Sequence, residues 1–150
     1  MQILVDADAC PVKDEVLRVA ERHGLPVVMV SNSWMRGSDH PLVQRIVAGT
    51  HPDAADDLIA EKAGPGDVVI TSDIPLAARV IAKGARVLRP NGQPLDENAI
   101  GMTLAMRNLH THLRDTGEIT GGPAAFKKQD RSRFLSVLET IVQGLKRQKP

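Results

Sequence analysis

Short apolar runs alternate with stretches of helical periodicity along the first 90 residues. An apolar run ending at Val5 predicts a strand, and the apolar residues spaced helically after Pro11 predict a helix that ends at Gly24. Further strands are predicted at 26–30, 43–47, 67–71 and 85–88, and further helices after Asp53 and at 76–82. A short helix is the alternative for 43–47. This alternation predicts an α/β fold, a three-layer α/β/α sandwich with a mainly parallel sheet of about five strands.

The pattern changes after the turn signal Pro90-Asn91-Gly92. Apolar residues at 100–113 and 134–145 predict two long helices, and the stretch between them, 116–130, is rich in glycine. Loops of that length in compact domains are usually functional or disordered. The chain is long enough to bury a core without disulfides, so we expect one domain over residues 1–150 with a C-terminal helical segment from about residue 96.

Composition narrows the range of functions. The single Cys10 cannot form an intramolecular disulfide, and no cluster of cysteine and histidine has zinc spacing. The sequence has neither a signal-type start nor an apolar segment long enough to span a bilayer, so we expect a cytoplasmic protein without a membrane partner. Aromatic residues make up only 2% of the chain, which argues against a base-stacking platform of the kind that single-strand binders use.

Charge is distributed unevenly although the net charge is only +1. Residues 1–106 contain ten Lys and Arg against fourteen Asp and Glu, whereas residues 107–150 contain nine against four. An acidic region beside a basic one suits an anionic substrate that is held through a metal ion.

Aspartates recur where predicted strands end. Asp6 and Asp8 follow the first strand, and Asp73 follows the strand at 67–71. Because the carboxyl ends of parallel strands meet at one edge of a sheet, we expect these side chains to converge there. Clustered carboxylates repel each other unless a cation binds, and oxygen ligands favour Mg²⁺ or Mn²⁺ over zinc.

The helix after Asp53 is expected to bring one more carboxylate to this edge, from Asp56 or Asp57. Asp53 itself is interpreted as the structural N-cap of that helix. The predicted metal ligands are therefore Asp6, Asp8, Asp56, Asp57 and Asp73, and all of these except Asp8 are predicted to be catalytic.

Structural roles are the alternative for these acids. Asp6 could form a turn, Asp8 could bond the backbone ahead of the first helix, and Asp73 could cap the helix that begins at Ile74. Cys10 lies beside a helix start, where its pKa could be lowered, but a small buried residue is the preferred interpretation.

Basic residues on two predicted helices are candidates for binding substrate phosphate. Lys13 lies one turn into the first helix, although a solvated surface position is its alternative role. Lys127, Lys128, Arg131 and Arg133 form a basic patch after the glycine-rich stretch, at a helix start where the dipole disfavours cations.

Four ordered stretches resemble the YaiI/YqxD family of bacterial proteins. They are 5–13 (VDADACPVK), 52–57 (PDAADD), 71–77 (TSDIPLA) and 122–126 (GPAAF) with Asp130-Arg131. The family is similar to the PIN-like nucleases, including their NYN branch, which cleave RNA with Mg²⁺ or Mn²⁺ held by acids at the ends of parallel strands. This resemblance implies a PIN-like fold in which Asp6, Asp73 and either Asp56 or Asp57 match the metal-binding acids.

The residues and the resemblance together predict a metal-dependent phosphodiesterase, an endoribonuclease with RNA as its partner. One alternative is a non-catalytic RNA-binding or regulatory protein with the same fold. Another is a phosphatase of the haloacid-dehalogenase type, whose Asp-x-Asp motif fits Asp6-Ala7-Asp8, although Cys10 stands where that motif usually has Thr or Val. The sequence leaves the substrate, the number of ions and the oligomeric state open.

Overall fold

The computed structural model describes residues 1–7, 10–32, 40–49, 53–101 and 127–148. Six strands in these ranges form one sheet, and their bounds are β1 Ile3–Asp6, β2 Val27–Ser31, β3 Val43–Val47, β4 Val68–Ile70, β5 Arg86–Leu88 and β6 Pro94–Leu95. The strand order is β3-β2-β1-β4-β5-β6. The first five strands pair in parallel, and β6 pairs antiparallel with β5. The predicted parallel sheet of five strands is confirmed, and β6 is an addition that the sequence pattern did not predict.

Helices follow the strands in the predicted places. Their bounds are α1 Lys13–His23, α2 Ala54–Lys62, α3 Ile74–Ile81 and α5 Lys128–Gln148, and a further helix, α4, begins at residue 97 and is described as far as residue 101. Gly24 ends α1 with a left-handed φ of 65°, as the sequence predicted. Most of the helix predicted at 100–113, and residues 116–126 of the glycine-rich stretch 116–130, lie outside the described residues.

Side chains alternate across the sheet and so build two separate cores. Ile3 and Val5 of β1 are buried on one face with residues of α1 and α5, which we call the α1/α5 face. Leu4 is buried on the opposite face with residues of α2 and α3, the α2/α3 face. Because both faces are covered, the central strands are apolar on both sides, and the predicted three-layer arrangement is confirmed.

The order of the strands identifies the edge where a ligand site is expected. From β1 the chain proceeds outward to β2 and β3, and it then crosses to β4 and β5 on the other side of β1. The strand order therefore reverses between β1 and β4. Open α/β sheets bind ligands at the carboxyl ends of the strands at such a reversal. We call this side of the sheet the carboxyl edge.

The last helix, α5, also begins near the carboxyl edge. Arg131 Nη1 donates to the carbonyl oxygen of Pro11 at 2.9 Å and to Glu15 Oε1 at 3.1 Å, beside the start of α1. Farther along, His23 Nε2 and Glu139 Oε1 lie 2.9 Å apart, at the end of α1. The two helices therefore run in the same direction, and the N-terminus of α5 lies next to the N-terminus of α1.

Candidate acidic site at the carboxyl edge

A buried threonine joins two of the predicted site aspartates. The Thr71 hydroxyl donates to Asp6 Oδ2 at 3.1 Å, and the backbone N–H of Asp73 donates to the same hydroxyl oxygen at 3.0 Å. Thr71 is 2% exposed, so this hydroxyl is withdrawn from solvent and its contacts are made within the protein. Asp6 on β1 and Asp73 after β4 are thus held together at the reversal of strand order.

Asp73 also caps α3. Its Oδ1 accepts a hydrogen bond from the backbone N–H of Leu76 at 2.9 Å. The capping role that the sequence offered as an alternative is therefore confirmed. It does not remove the carboxylate from the edge, because the charge of Asp73 still acts on Asp56 and raises its pKa. The Asp73 side chain therefore caps α3 and also lies near Asp56 at the carboxyl edge.

Asp56 lies on α2, which packs on the α2/α3 face of the sheet, and it is near Asp6 and Asp73. The pKa of Asp56 is raised to about 6, first by partial burial and then by the negative charges of Asp73, Asp6 and Asp53. Burial is the largest cause of this shift, and the three neighbouring carboxylates add to it. We call Asp6, Asp56 and Asp73 the acidic cluster.

Asp57 points away from the acidic cluster. Its Oδ1 accepts a hydrogen bond from Arg79 Nη1 on α3 at 2.9 Å, and the two side chains are 55% and 48% exposed. Helix geometry explains the difference, because neighbouring residues are rotated by about 100° around the axis. Of the two acids that the sequence could not separate, Asp56 is the one that the structure brings to Asp6 and Asp73.

Oxygen atoms make up the whole donor set of the acidic cluster, and this suits Mg²⁺ or Mn²⁺. In the described ranges, no group of three or more acidic, histidine or cysteine side chains is close enough to enclose an ion as it stands. Mg²⁺ usually keeps several water ligands and takes only one or two carboxylates, so a closed protein cage is not required. The mutual repulsion that raises the pKa of Asp56 is the feature that a cation would relieve. Asp8, the remaining predicted ligand, lies outside the described residues.

The predicted phosphate-binding cations fall into two groups. Lys127 and Lys128 are exposed at the start of α5, near the carboxyl edge. Arg131 instead connects α5 to α1, and Arg133 Nη1 lies 3.6 Å from Asp130 Oδ1 on its own helix. Lys127 and Lys128 are therefore the members of the basic patch best placed to contact a substrate.

Lys13 begins α1 and Cys10 lies just before it, next to the carboxyl edge. Lys13, the first residue of the helix, is partly exposed and its charge acts on the neighbouring Cys10 thiol. Burial raises the pKa of Cys10, and this effect exceeds the lowering by a backbone hydrogen bond and by Lys13. A raised pKa disfavours the thiolate, so the structure favours a small unreactive residue over a nucleophile, although Cys10 is partly rather than fully buried.

Asn32 has a role that the sequence did not reveal. Its Oδ1 accepts a hydrogen bond from the backbone N–H of Ala55 at 3.0 Å, so a residue at the end of β2 caps α2. Asp53 occupies the N-cap position but makes no capping hydrogen bond with its side chain. The prediction that Asp53 caps α2 through its carboxylate was therefore wrong. Asn32 takes over that contact, and the charge of Asp53 acts on Asp56.

Comparison with known proteins agrees with the predicted resemblance. The family described as "Uncharacterized BCR, YaiI/YqxD family" matches residues 4–144. The chain belongs to the YaiI/YqxD family. No solved structure matches the chain.

Several curated relatives of this YaiI/YqxD chain are named "UPF0178 protein". The relative from Rhodopseudomonas palustris (strain HaA2) is 59% identical over 149 residues, which cover 99% of this chain and 91% of the relative. The relative from Parvibaculum lavamentivorans is 59% identical over 149 residues, covering 99% and 98%. That from Nitrobacter winogradskyi is 57% identical over 147 residues, covering 98% and 94%.

None of the helices in the described ranges has both the length and the hydrophobicity to cross a membrane.

Proposed function

We propose that this protein is a metal-dependent phosphodiesterase, an endoribonuclease that cuts single-stranded RNA. The observation that carries the proposal is the Thr71 bridge, which ties Asp6 to Asp73 at the reversal of strand order, with Asp56 close enough for the charges of both to raise its pKa. Acids brought together from three separate elements at this edge have no shared structural task. Binding of a divalent ion would be a task that all three acids share.

Each residue at the edge has a distinct role in this proposal. Asp6, Asp56 and Asp73 would hold Mg²⁺ or Mn²⁺, which supplies an activated water and positive charge near phosphorus. Thr71 orients Asp6 by its hydroxyl hydrogen bond, and the Leu76 N–H fixes one oxygen of Asp73. Lys127 and Lys128 contact the phosphates that flank the cut. This last role is supported by their exposure near the same edge.

Substitution of Asp73 tests the proposal most directly. Asn also caps helices well, so Asp73→Asn should keep α3 stable while removing a metal-binding charge. We expect wild-type protein to bind Mn²⁺ by calorimetry and to cut RNA until EDTA is added. Asp73→Asn should bind RNA and cut it about 100-fold more slowly.

Asp57→Asn is the matched control, because it removes a neighbouring carboxylate that pairs with Arg79 at the surface. It should leave cleavage unchanged. Equal cleavage by wild type and Asp73→Asn would assign the activity to a contaminating nuclease. No heat of binding with millimolar Mn²⁺ would refute the metal site, and turnover of p-nitrophenyl phosphate without RNA cleavage would favour a phosphatase.

A non-catalytic RNA-binding protein is the second candidate. The observation in its favour is that no compact set of three ligands exists within the described part of the chain. Such a protein would bind RNA equally well with Mn²⁺ or with EDTA, and neither wild type nor Asp73→Asn would cut it.

A further inference from the structure

Arg89 lies in the same row of the sheet as the acidic cluster. Val5 on β1 pairs with Ile70 on β4, which in turn pairs with Leu88 on β5. These residues face the α1/α5 core. The ladder continues for one more step, because the backbone N–H of Thr71 donates to the Leu88 oxygen at 3.3 Å.

The next residue on each strand therefore belongs to the opposite face. These residues are Asp6, Thr71 and Arg89. Neighbouring strands are about 4.8 Å apart, so the Arg89 backbone lies one strand from Thr71 and two strands from Asp6. Continuation of the pleat alternation by one residue past β4 and β5 would direct Thr71 and Arg89 to the α2/α3 face, where Asp6 lies and from which Asp56 also approaches.

The guanidinium group of Arg89 is only partly satisfied. Nη1 donates to Gln93 Oε1 at 3.2 Å. Nε is buried and has no hydrogen-bond partner among the described residues. No carboxylate in the described ranges forms an ion pair with this arginine, unlike Arg79 and Arg131. Buried donors normally find a partner, and the Nε edge of a guanidinium matches two oxygens of a phosphate.

A tight hairpin turn fixes the start of the Arg89 side chain. The backbone N–H of Arg89 donates to the Gln93 oxygen, and the backbone N–H of Gly92 donates to the Arg89 oxygen, both at 2.9 Å. Gly92 has a φ of 89°, and a Cβ there would lie 2.7 Å from the backbone nitrogen of Phe134 on α5. The turn is thus held by its own bonds and by close packing, so the backbone position of Arg89 is fixed.

We propose that Arg89 is a substrate-binding residue that holds the non-bridging oxygens of an RNA phosphodiester beside the acidic cluster. This inference rests on the proposed function and identifies Arg89 as the residue that contacts the phosphate at the proposed site. The cluster supplies the negative ligands for a cation, and Arg89 supplies a fixed positive group in the same row. Lys127 and Lys128, on flexible side chains, would then contact flanking phosphates rather than the phosphate beside the cluster.

The Nε–H signal of Arg89 in an NMR spectrum of ¹⁵N-labelled protein tests this directly. The signal is assigned as the one absent from Arg89→Lys. It should shift on addition of inorganic phosphate, and also on addition of a short single-stranded RNA in EDTA. The signal of Arg86 should not shift, because this residue is exposed at the opposite end of β5.

Binding of fluorescent RNA in EDTA gives a second readout. Arg89→Met should weaken binding about tenfold and should reduce the slope of log affinity against log salt by roughly 0.7. Arg89→Lys keeps the charge, so it should weaken binding and leave the slope nearly unchanged. Arg86→Met is the matched control and should change neither quantity, and the melting temperature of each variant verifies folding.

The outcomes separate this inference from the proposed function. Cleavage of RNA together with an unshifted Arg89 signal and unaltered binding by Arg89→Met would overturn the inference and leave the nuclease proposal intact. A shifted signal and weaker binding without any cleavage would support the Arg89 contact and refute the catalytic proposal. A shift with phosphate but not with RNA would overturn the assignment to RNA.

Discussion

Replacing Asp56 with Asn should make the metal-free protein more stable above pH 6. The pKa of Asp56 is raised from 3.8 to about 6, first by partial burial and then by Asp73, Asp6 and Asp53. Between these two pH values the unfolded chain loses this proton while the folded chain keeps it. The contribution of Asp56 to wild-type stability therefore falls from about pH 4 to about pH 6 and does not recover at higher pH. The Asn side chain does not titrate in this range, so Asp56→Asn should not show this loss of stability.

The expected gain in stability follows from the size of the pKa shift of Asp56. A shift from 3.8 to about 6 corresponds to at most about 3 kcal/mol. Asp56 is partly exposed, so solvent screening reduces this figure, and we expect about 1 kcal/mol. For a chain of 150 residues this is a gain of roughly 2–4 °C in melting temperature.

Differential scanning fluorimetry from pH 4 to pH 8, in EDTA, measures this difference. The gain of Asp56→Asn over wild type should grow from near zero at pH 4 to its full value above pH 6. Mn²⁺ should then stabilise wild type at pH 7.5 more than Asp56→Asn. Asp57→Asn is the control and should show no such growth with pH. A difference between Asp56→Asn and wild type that is the same at every pH would refute the idea that Asp56 is held among other carboxylates.

Three further outcomes are expected. Gly92→Ala should destabilise the fold by about 3 kcal/mol or more in urea unfolding, because its Cβ would meet the backbone of Phe134 at a positive φ; a loss below 1 kcal/mol would contradict the close contact. Asn32→Ala should cost about 1 kcal/mol in the same assay through loss of the α2 cap, and an unchanged midpoint would contradict that role. Changing Lys127 and Lys128 together to Ala should reduce the salt slope of RNA binding by up to about 1.4 at unchanged melting temperature, whereas an unchanged slope would place the RNA elsewhere.

The strands and helices could be predicted because their local signals agree with their packing. Buried parallel strands need apolar residues on both sides, and the runs around Val5, Val28 and Val69 provide them. The strand β6 gives no such signal. It has two residues, one of them Pro94, and it forms only because the hairpin after Leu88 returns the chain beside β5.

The site could be predicted in part for a similar reason. Asp6 and Asp73 mark strand ends that a parallel sheet must bring together, so sequence alone predicts their proximity. The choice between Asp56 and Asp57 depends on how α2 is rotated against the sheet. A signal was present, since the residue one turn after Asp56 is the apolar Ala60 and the residue one turn after Asp57 is the charged Glu61.

Asn32 and Arg89 could not be found in this way. The Asn32 cap joins residues 23 positions apart, and no local pattern encodes such a contact. The sequence places Arg89 after a strand, but its importance comes from the burial of one atom and the lack of a partner among the described residues. Both facts depend on packing between elements.

The position of α5 has a consequence for folding during synthesis. Contacts between α1 and α5 join residues that are 116 to 123 positions apart. Phe134, Leu138 and Val142 of α5 are fully buried in one core with residues of β1 and α1, which leave the ribosome well before α5. Until α5 has emerged, the nascent chain exposes the apolar face that α5 covers in the folded protein, and exposed apolar surface of this kind makes that interval prone to aggregation.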